Sequence, residues 1–249
     1  MEPIIEVSNL TKIFKSRGRT ITAVNDVSFD VFKVEIFGMI GPNGAGKSTT
    51  FSVLTTLLKP TTGSVKVAGF DVEKEDDKIR PLIGIVPQKL SLYTLLTARE
   101  NLELMGNLYN VPKKVMEERI DYYLRLVGLE SSADRFTGGF SGGMKQRLSV
   151  IAAVIHDPEI LFLDEPSTGL DPQTRQAIWK LAKKFNTEGK TLIFTTHYME
   201  EADNLCDRVA VMNSGKIVAL DDPETLKKNT GGANLEEVFI RFTGEEVRD

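Results

Sequence analysis

The stretch GPNGAGKST, residues 41–49, constrains this chain more than any other. It lies between EIFGMI, which reads as a buried strand, and TFSVLTTLL, which reads as a helix running to Leu58. Each of its glycines would weaken a helix or strand by about 0.5–1 kcal/mol relative to alanine. Between a strand and a helix, however, the stretch fits G-x-x-x-x-G-K-[ST] at every fixed position. In the loop formed by Gly41, Pro42, Asn43, Gly44, Ala45 and Gly46, the glycines would let backbone N–H groups turn inward around a phosphate chain. The helix starting near Lys47 adds the positive end of its dipole, and the Lys47 side chain reaches the terminal phosphates. Ser48, followed by Thr49, places a hydroxyl where Mg²⁺ bridges the phosphates. A chance glycine-rich turn is the plainer alternative, and the flanking strand and helix count against it. Alone, the motif says only that a nucleoside triphosphate binds.

The rest of the chain supplies a matching frame. IIEVSNLTKIF and TITAVNDVSFDVF alternate apolar and polar residues, as half-buried strands do, with the basic loop KSRGR between them. GSVKVAGFDV (63–72), IGIVPQ (83–88), EILFLDE (159–165) and TLIFTTH (191–197) also read as strands, the last three as buried ones. From Thr97 to about Leu129 the apolar spacing becomes helical, with Pro112 between two helices. Further helices are predicted from the glycines of GGFSGG to Pro158 and around 172–186. RVAVMNSGKIVAL reads as a hairpin turning at NSG, and NLEEVFIRFTGEEVRD as a short helix with a polar tail. Buried strands separated by helices indicate a mainly parallel sheet covered on both faces, an α/β fold. Such sheets bind ligands beyond the carboxyl ends of their strands, where Gly41, Asp164 and His197 all sit.

Three further groups carry chemistry. The apolar run before Asp164 and Glu165 aims both acids at the ligand end of the sheet. There Asp164 would hold Mg²⁺, and Glu165 would orient and polarise an attacking water. FSGGMKQR (140–147) has its own glycines, Ser141 in N-cap position and a helix behind it, so it makes a second anion site. A plain Ser-capped helix is the bland alternative. His156 precedes DP at a helix C-terminus, where the dipole favours a cation, whereas His197 ends a buried strand at the ligand edge.

In this order and spacing, the chain resembles the nucleotide-binding subunit of an ABC transporter over essentially its whole length. The resemblance implies a P-loop NTPase core, an N-terminal antiparallel β subdomain and a helical subdomain at about 89–157. One ATP-binding domain would span 1–249, with a C-terminal hairpin and helix at 208–249. Residues 41–49 match the Walker A loop, and Gln88 matches the glutamine loop that senses Mg²⁺ and contacts the membrane partner. Ser141, Gly142 and Gly143 match the signature, Asp164 and Glu165 the Walker B strand end, Asp171 the D-loop, and His197 the switch histidine that contacts the γ-phosphate. In the family two copies pair head to tail, and the signature of one caps the γ-phosphate on the P-loop of the other. That pairing accounts for two anion sites in one chain.

Three positions depart from the family pattern. Phe14 stands where a tyrosine often stacks on adenine, and a phenyl face still stacks. Val34 replaces the usual glycine before EIFG and should stiffen that turn. Met144 replaces the commonest glutamine of SGGQ. SGGM, with LEEVF…TG near the C-terminus, resembles the multidrug, antibiotic and lipid exporter subgroup (ABC-2 type). The implied function is ATP hydrolysis that powers export through a separate integral-membrane subunit, with ATP and Mg²⁺ as cofactors. The place it implies is cytoplasmic, on the inner face of the cell membrane. The apolar segment KLSLYTLLTARENL (89–102) is the expected docking surface for that partner.

Composition agrees with this reading. The net charge of -4 argues against a nucleic-acid partner, which usually meets a basic face. A soluble ABC ATPase acting on nucleic acid or ribosomes is the alternative. That class usually carries a long coiled-coil insertion or fused tandem domains, and this sequence shows neither. The single cysteine, Cys206, allows no internal disulfide and suits a reducing compartment. MEPIIEVSNL lacks the features of a secretory leader, so none is expected. No apolar stretch approaches the roughly 18 residues of a membrane span, so the chain itself is not expected to cross one.

Overall fold

The computed structural model describes residues 2–16 and 18–244, so the polar tail read at 245–249 and Arg17 of the basic loop lie outside the described residues. The chain opens with an antiparallel pair, β1 (Pro3–Ser16) and β2 (Arg19–Phe32), then β3 (Ile36–Ile40) and α1 (Lys47–Leu54). β4 (Thr62–Val67), β5 (Phe70–Asp71), the short α2 (Asp76–Ile79) and β6 (Ile83–Val86) follow. Three helices come next: α3 (Ala98–Leu108), α4 (Lys113–Leu126) and α5 (Gly142–Val154). β7 (Ile160–Asp164), α6 (Pro172–Thr187), β8 (Thr191–Thr196) and α7 (Met199–Leu205) come after them. β9 (Arg208–Asn213), β10 (Lys216–Asp221), α8 (Pro223–Thr230) and α9 (Leu235–Thr243) close the described chain.

Two sheets result. β2-β1-β4-β5 is antiparallel, and β10-β9-β3-β8-β7-β6 is parallel except for the β9–β10 hairpin. Side chains of the central strands alternate between two cores, as the period of two demands. Phe37, Met39, Phe162 and Ile193 face α1 and the antiparallel sheet. Ile36, Ile40, Leu161, Leu163, Leu192 and Phe194 face the helical side. Phe51 of α1 meets Phe162 edge-on at 5.6 Å between centroids, fixing the helix between the two sheets.

Register places the site. Ile40 pairs with Thr196 across β3–β8, and Asp164 pairs with Thr195 across β7–β8. Gly41, Glu165 and His197, the next residues along each strand, therefore leave the sheet at one edge. Three other helices start on side-chain caps: Thr97 with Glu100 forms a capping box for α3, Ser141 caps α5 and Asp171 caps α6.

The structure differs from the sequence reading in several places, the helices α2 and α7 among them, which the reading did not include. α1 ends at Leu54 rather than Leu58, because Thr56 takes a left-handed φ of 61° and the amides of Leu57 and Leu58 both turn back to the Ser52 carbonyl. The strand read at 63–72 is a hairpin, β4–β5, folded at Ala68 and Gly69. The C-terminal segment holds α8 as well as the single helix expected. Asp222 caps α8, Pro223 occupies its first turn and Gly231 ends it with a φ of 67°.

Val34 has a φ of 62° and is 46% exposed. Its amide donates to Thr191 Oγ1 (2.9 Å) and its carbonyl accepts from Asn186 Nδ2 (2.8 Å), which hold the turn in place. A left-handed L-residue costs about 1–2 kcal/mol, and glycine would give back about 0.5–1 kcal/mol in chain entropy. Val34→Gly is expected to raise stability by up to about 1 kcal/mol, read as a higher urea midpoint. An unchanged or lower midpoint would show that the turn carries no such strain.

Candidate active site

Gly41 leaves β3 with a φ of 150°, and a Cβ there would lie 2.2 Å from the Met212 carbonyl oxygen. Gly46, with a φ of 102°, would bring a Cβ within 2.7 Å of the Ala23 carbonyl oxygen. No side chain caps α1 at Gly46, which leaves first-turn amides of the helix for a ligand. The loop is braced from the β9–β10 turn, where the Gly215 amide donates to the Ala45 carbonyl (3.0 Å). Beneath it lies a cavity of about 290 Å³, lined by residues 43–49, Ile21, Thr22, Ala23 and Glu165. Asn43 and Ser48 are exposed, Pro42 and Thr49 half-buried, and Ala45 buried.

Lys47 is 4% exposed and folds back into the loop. Its ammonium donates to the carbonyls of Gly41 (2.7 Å) and Pro42 (3.1 Å) and stands 3.9 Å from Glu165 Oε1. Burial pulls the lysine pKa down, while Glu165 and Asp164 oppose that shift. A phosphate chain in the cavity would replace both carbonyls as the acceptor for this charge.

β7 delivers the two acids into different surroundings. Asp164 accepts from Thr195 Oγ1 and from Ser48. Burial still raises its pKa, helped by the neighbouring Glu165 charge. Glu165 takes a left-handed φ of 46°, and its amide donates to both the carbonyl and the hydroxyl of Thr195, each at 3.0 Å. Its carboxylate is a hub. Oε2 accepts from Gln88 Nε2 (2.9 Å) and Thr168 Oγ1 (3.2 Å) and lies 3.3 Å from His197 Nδ1. The His197 contact is within ion-pair range without the alignment of a hydrogen bond. Thus Lys47, Gln88, Asp164, Glu165 and His197 come together from four separate segments.

The remaining expected residues lie apart from this cluster. Ser141 is exposed and accepts from the Met144 amide (3.3 Å); Gly142 opens onto free space. A Cβ on Gly143 would meet Thr174 at 2.8 Å, so the starts of α5 and α6 are neighbours. Asp171 accepts from the amide (3.0 Å) and hydroxyl (2.6 Å) of Thr174, bonds that lower its pKa. Phe14 is 39% exposed, has the Lys12 ammonium 5.3 Å from its ring centroid, and pairs across the strands with the cavity-lining Ile21. Thr195, which bonds both acids, did not stand out in the sequence. Its only signal was the pair of adjacent threonines, Thr195 and Thr196, that follows the apolar run of β8.

Comparison with known proteins agrees with this geometry. Residues 24–168 match the family model described as ABC transporter. The chain is 39% identical over 242 residues to the linearmycin resistance ATP-binding protein LnrL of Bacillus subtilis, covering 97% of this chain and 76% of that protein. It is 41% identical over 231 residues to the Nod factor export ATP-binding protein I of a Rhizobium species, covering 93% and 76% respectively. Among solved structures, an ATP-binding cassette dimer in a post-hydrolysis state with ADP and Pi superposes with a TM-score of 0.80 at 31% identity, covering 88% of this chain and 98% of that one.

The raised pKa of Asp164 has a consequence for stability. Its ionised form is disfavoured in the fold, so it destabilises wherever the unfolded carboxyl is ionised, above about pH 4. Asparagine keeps an acceptor for Thr195 without the charge. Asp164→Asn is therefore expected to raise the urea midpoint of the nucleotide-free protein at pH 7. The gain should shrink as pH falls towards about 4, where the unfolded carboxyl also takes up its proton. An equal or lower midpoint at pH 7 would contradict this reading of the buried carboxyl.

Proposed function

The chain belongs to the ABC transporter family, and on that premise we propose that it is the ATP-hydrolysing subunit of an exporter, working as a head-to-tail pair through a separate membrane subunit. The observation that carries the reading is the Glu165 hub, where an acid, a histidine, a glutamine and the P-loop lysine meet beside a loop shaped for phosphates. The relatives named for linearmycin resistance and Nod factor export support a small-molecule or lipid cargo.

Position supports the roles proposed for each residue. Lys47 and the first amides of α1 hold the β- and γ-phosphates. Ser48 and Asp164, hard oxygen donors already in contact, fit Mg²⁺, and Gln88, whose amide nitrogen reaches Glu165, would supply a third oxygen. Held there, the ion would supply positive charge against the phosphates. The Glu165 carboxylate orients a water and takes its proton as the oxygen–phosphorus bond forms and the bond to ADP breaks. His197 stands against the same carboxylate and faces the γ-phosphate. Ser141 and Gly142, exposed away from the cavity, and the half-buried Gly143 would cap the γ-phosphate of a second copy, with Asp171 at the seam and Phe14 beside the adenine.

Among the described residues no helix is long and apolar enough to cross a membrane. We place the chain on the cytoplasmic face of the membrane, held there by its partner. The segment 89–102 supports this, although only part of it is available. Leu92 packs on the helical core, whereas Tyr93 is 59% and Leu95 86% exposed. Phe136, 65% exposed, joins them through the Thr97–Phe136 bridge. An apolar helix of the membrane subunit would fit against these three side chains.

Glu165→Gln is expected to keep MgATP binding and to slow hydrolysis about 10²–10⁴-fold. Because ATP is not consumed, the variant should elute as a dimer in MgATP and as a monomer without it. Turnover at the wild-type rate would remove Glu165 from the chemistry.

A further inference from the structure

A second tie joins the two segments that carry Glu165 and His197. Ser167, two residues beyond Glu165, donates its hydroxyl to Glu201 Oε1 at 2.5 Å. Glu201, four residues beyond His197, accepts on the same oxygen from the Trp179 indole N–H of α6 at 2.9 Å. Ser167 and Glu201 are 0% and 1% exposed. The Ser167 distance is that of a charge-assisted bond, which is shorter and stronger than a neutral one. Glu201 Oε2, also buried, meets no hydrogen-bond donor among the described residues. An acid with one oxygen left bare is a costly way to fill a core position, and alanine or leucine would fill it without that cost.

Geometry at Glu165 explains what the acid does. Glu165 holds a left-handed φ of 46°, a state that costs about 1–3 kcal/mol and persists only when its surroundings over-determine it. Upstream of the strained bond, Thr195 grips the Glu165 amide. Downstream, the turn closes through Thr168 N–H to the Glu165 carbonyl (3.2 Å) and Leu170 N–H to the Ser167 carbonyl (3.2 Å). The Ser167 side chain fastens this turn to the rest of the protein through Glu201. α6 grips the same histidine segment one helical turn earlier, where the Arg175 guanidinium lies 4.8 Å from the Tyr198 ring centroid. Tyr198 in turn packs against His197, with centroids 4.2 Å apart.

We propose that Glu201 is a positioning residue for hydrolysis: by holding Ser167 and Trp179 together, it sets the strained turn of Glu165 against His197. The inference rests on the roles assigned above to Glu165 and His197. Glu201 touches neither the phosphate loop nor the cavity lining, so its loss should act on the chemical step and leave nucleotide binding alone.

The test is steady-state ATP hydrolysis by the full chain, with urea unfolding as the folding control. Glu201→Ala is expected to lower kcat about 10–100-fold, the scale of a small misplacement, at unchanged KM for ATP. Glu201→Gln keeps an oxygen that accepts both bonds and should restore most of kcat. Ser167→Ala removes only a hydroxyl, so it keeps the core filled should Glu201→Ala fail to fold; it too should lower kcat at unchanged KM. The double variant should be no slower than Glu201→Ala. Wild-type kcat in folded Ser167→Ala would overturn the proposal. So would a loss in Glu201→Ala that Gln does not rescue and that raises KM in proportion. Glu165→Gln run in parallel separates the two levels. If it retains turnover, the reading of the whole site falls; if it alone loses turnover, only the role of Glu201 falls.

Discussion

The buried carboxylate of Glu165 is held where no freely rotating side chain would stay. Its backbone is left-handed, its amide is bonded twice to Thr195, and its oxygens face Lys47, Gln88, Thr168 and His197. Those neighbours come from the phosphate loop, the end of β6, the following turn and the end of β8. They meet because β6, β7, β8 and β3 run parallel in one register, so every strand spends its last residue at the same edge. A slip of one residue in that register would turn the acid-bearing end of β7 to the other face. Backbone strain at Glu165 is thus maintained by the sheet, and the sheet by two cores that lock both of its faces.

The same frame separates binding from completion. The glycine loop, Asp164 and Glu165 would form one side of a nucleotide site, while the N-terminus of α5 stands exposed elsewhere on the chain. α5 begins beside α6 through the Gly143–Thr174 contact, and α6 reaches back to the histidine segment through Arg175 and Trp179. A surface that would receive a second copy is therefore linked through α6 to the segment bearing His197. Closing two copies on ATP would press on both ends of this path at once.

How much of this could be read from sequence depended on the range of the interactions. β3, β7 and β8 were legible because each is a short apolar run, bounded by turn residues and too short for a helix, which fits a strand buried on both faces. Lys47, Gln88, Asp164, Glu165 and His197 were legible because each follows or ends such a strand within a recognisable motif. α8 was overlooked although Asp222, Pro223 and Gly231 mark both of its ends, since its polar surface hides the apolar period. The early end of α1 was not legible, because threonines at 55 and 56 read equally well as helix or turn. Neither was the Ser167–Glu201–Trp179 tie, whose members stand 34 and 22 residues apart and meet only through tertiary packing. Val34 was visible as a departure, and its left-handed backbone gives that departure a physical cost.

The account rests on sites shared between two copies, and a mixing experiment tests this directly. Lys47→Ala disables a phosphate loop and leaves the α5 end intact; Ser141→Arg blocks the α5 end and leaves the loop intact. Each variant alone should hydrolyse ATP negligibly. Mixed, they should form pairs in which the intact loop of one meets the intact α5 end of the other, and hydrolysis should return. If the mixture stays as inactive as its components, or if Ser141→Arg alone hydrolyses at the wild-type rate, each chain works by itself and the head-to-tail account is wrong.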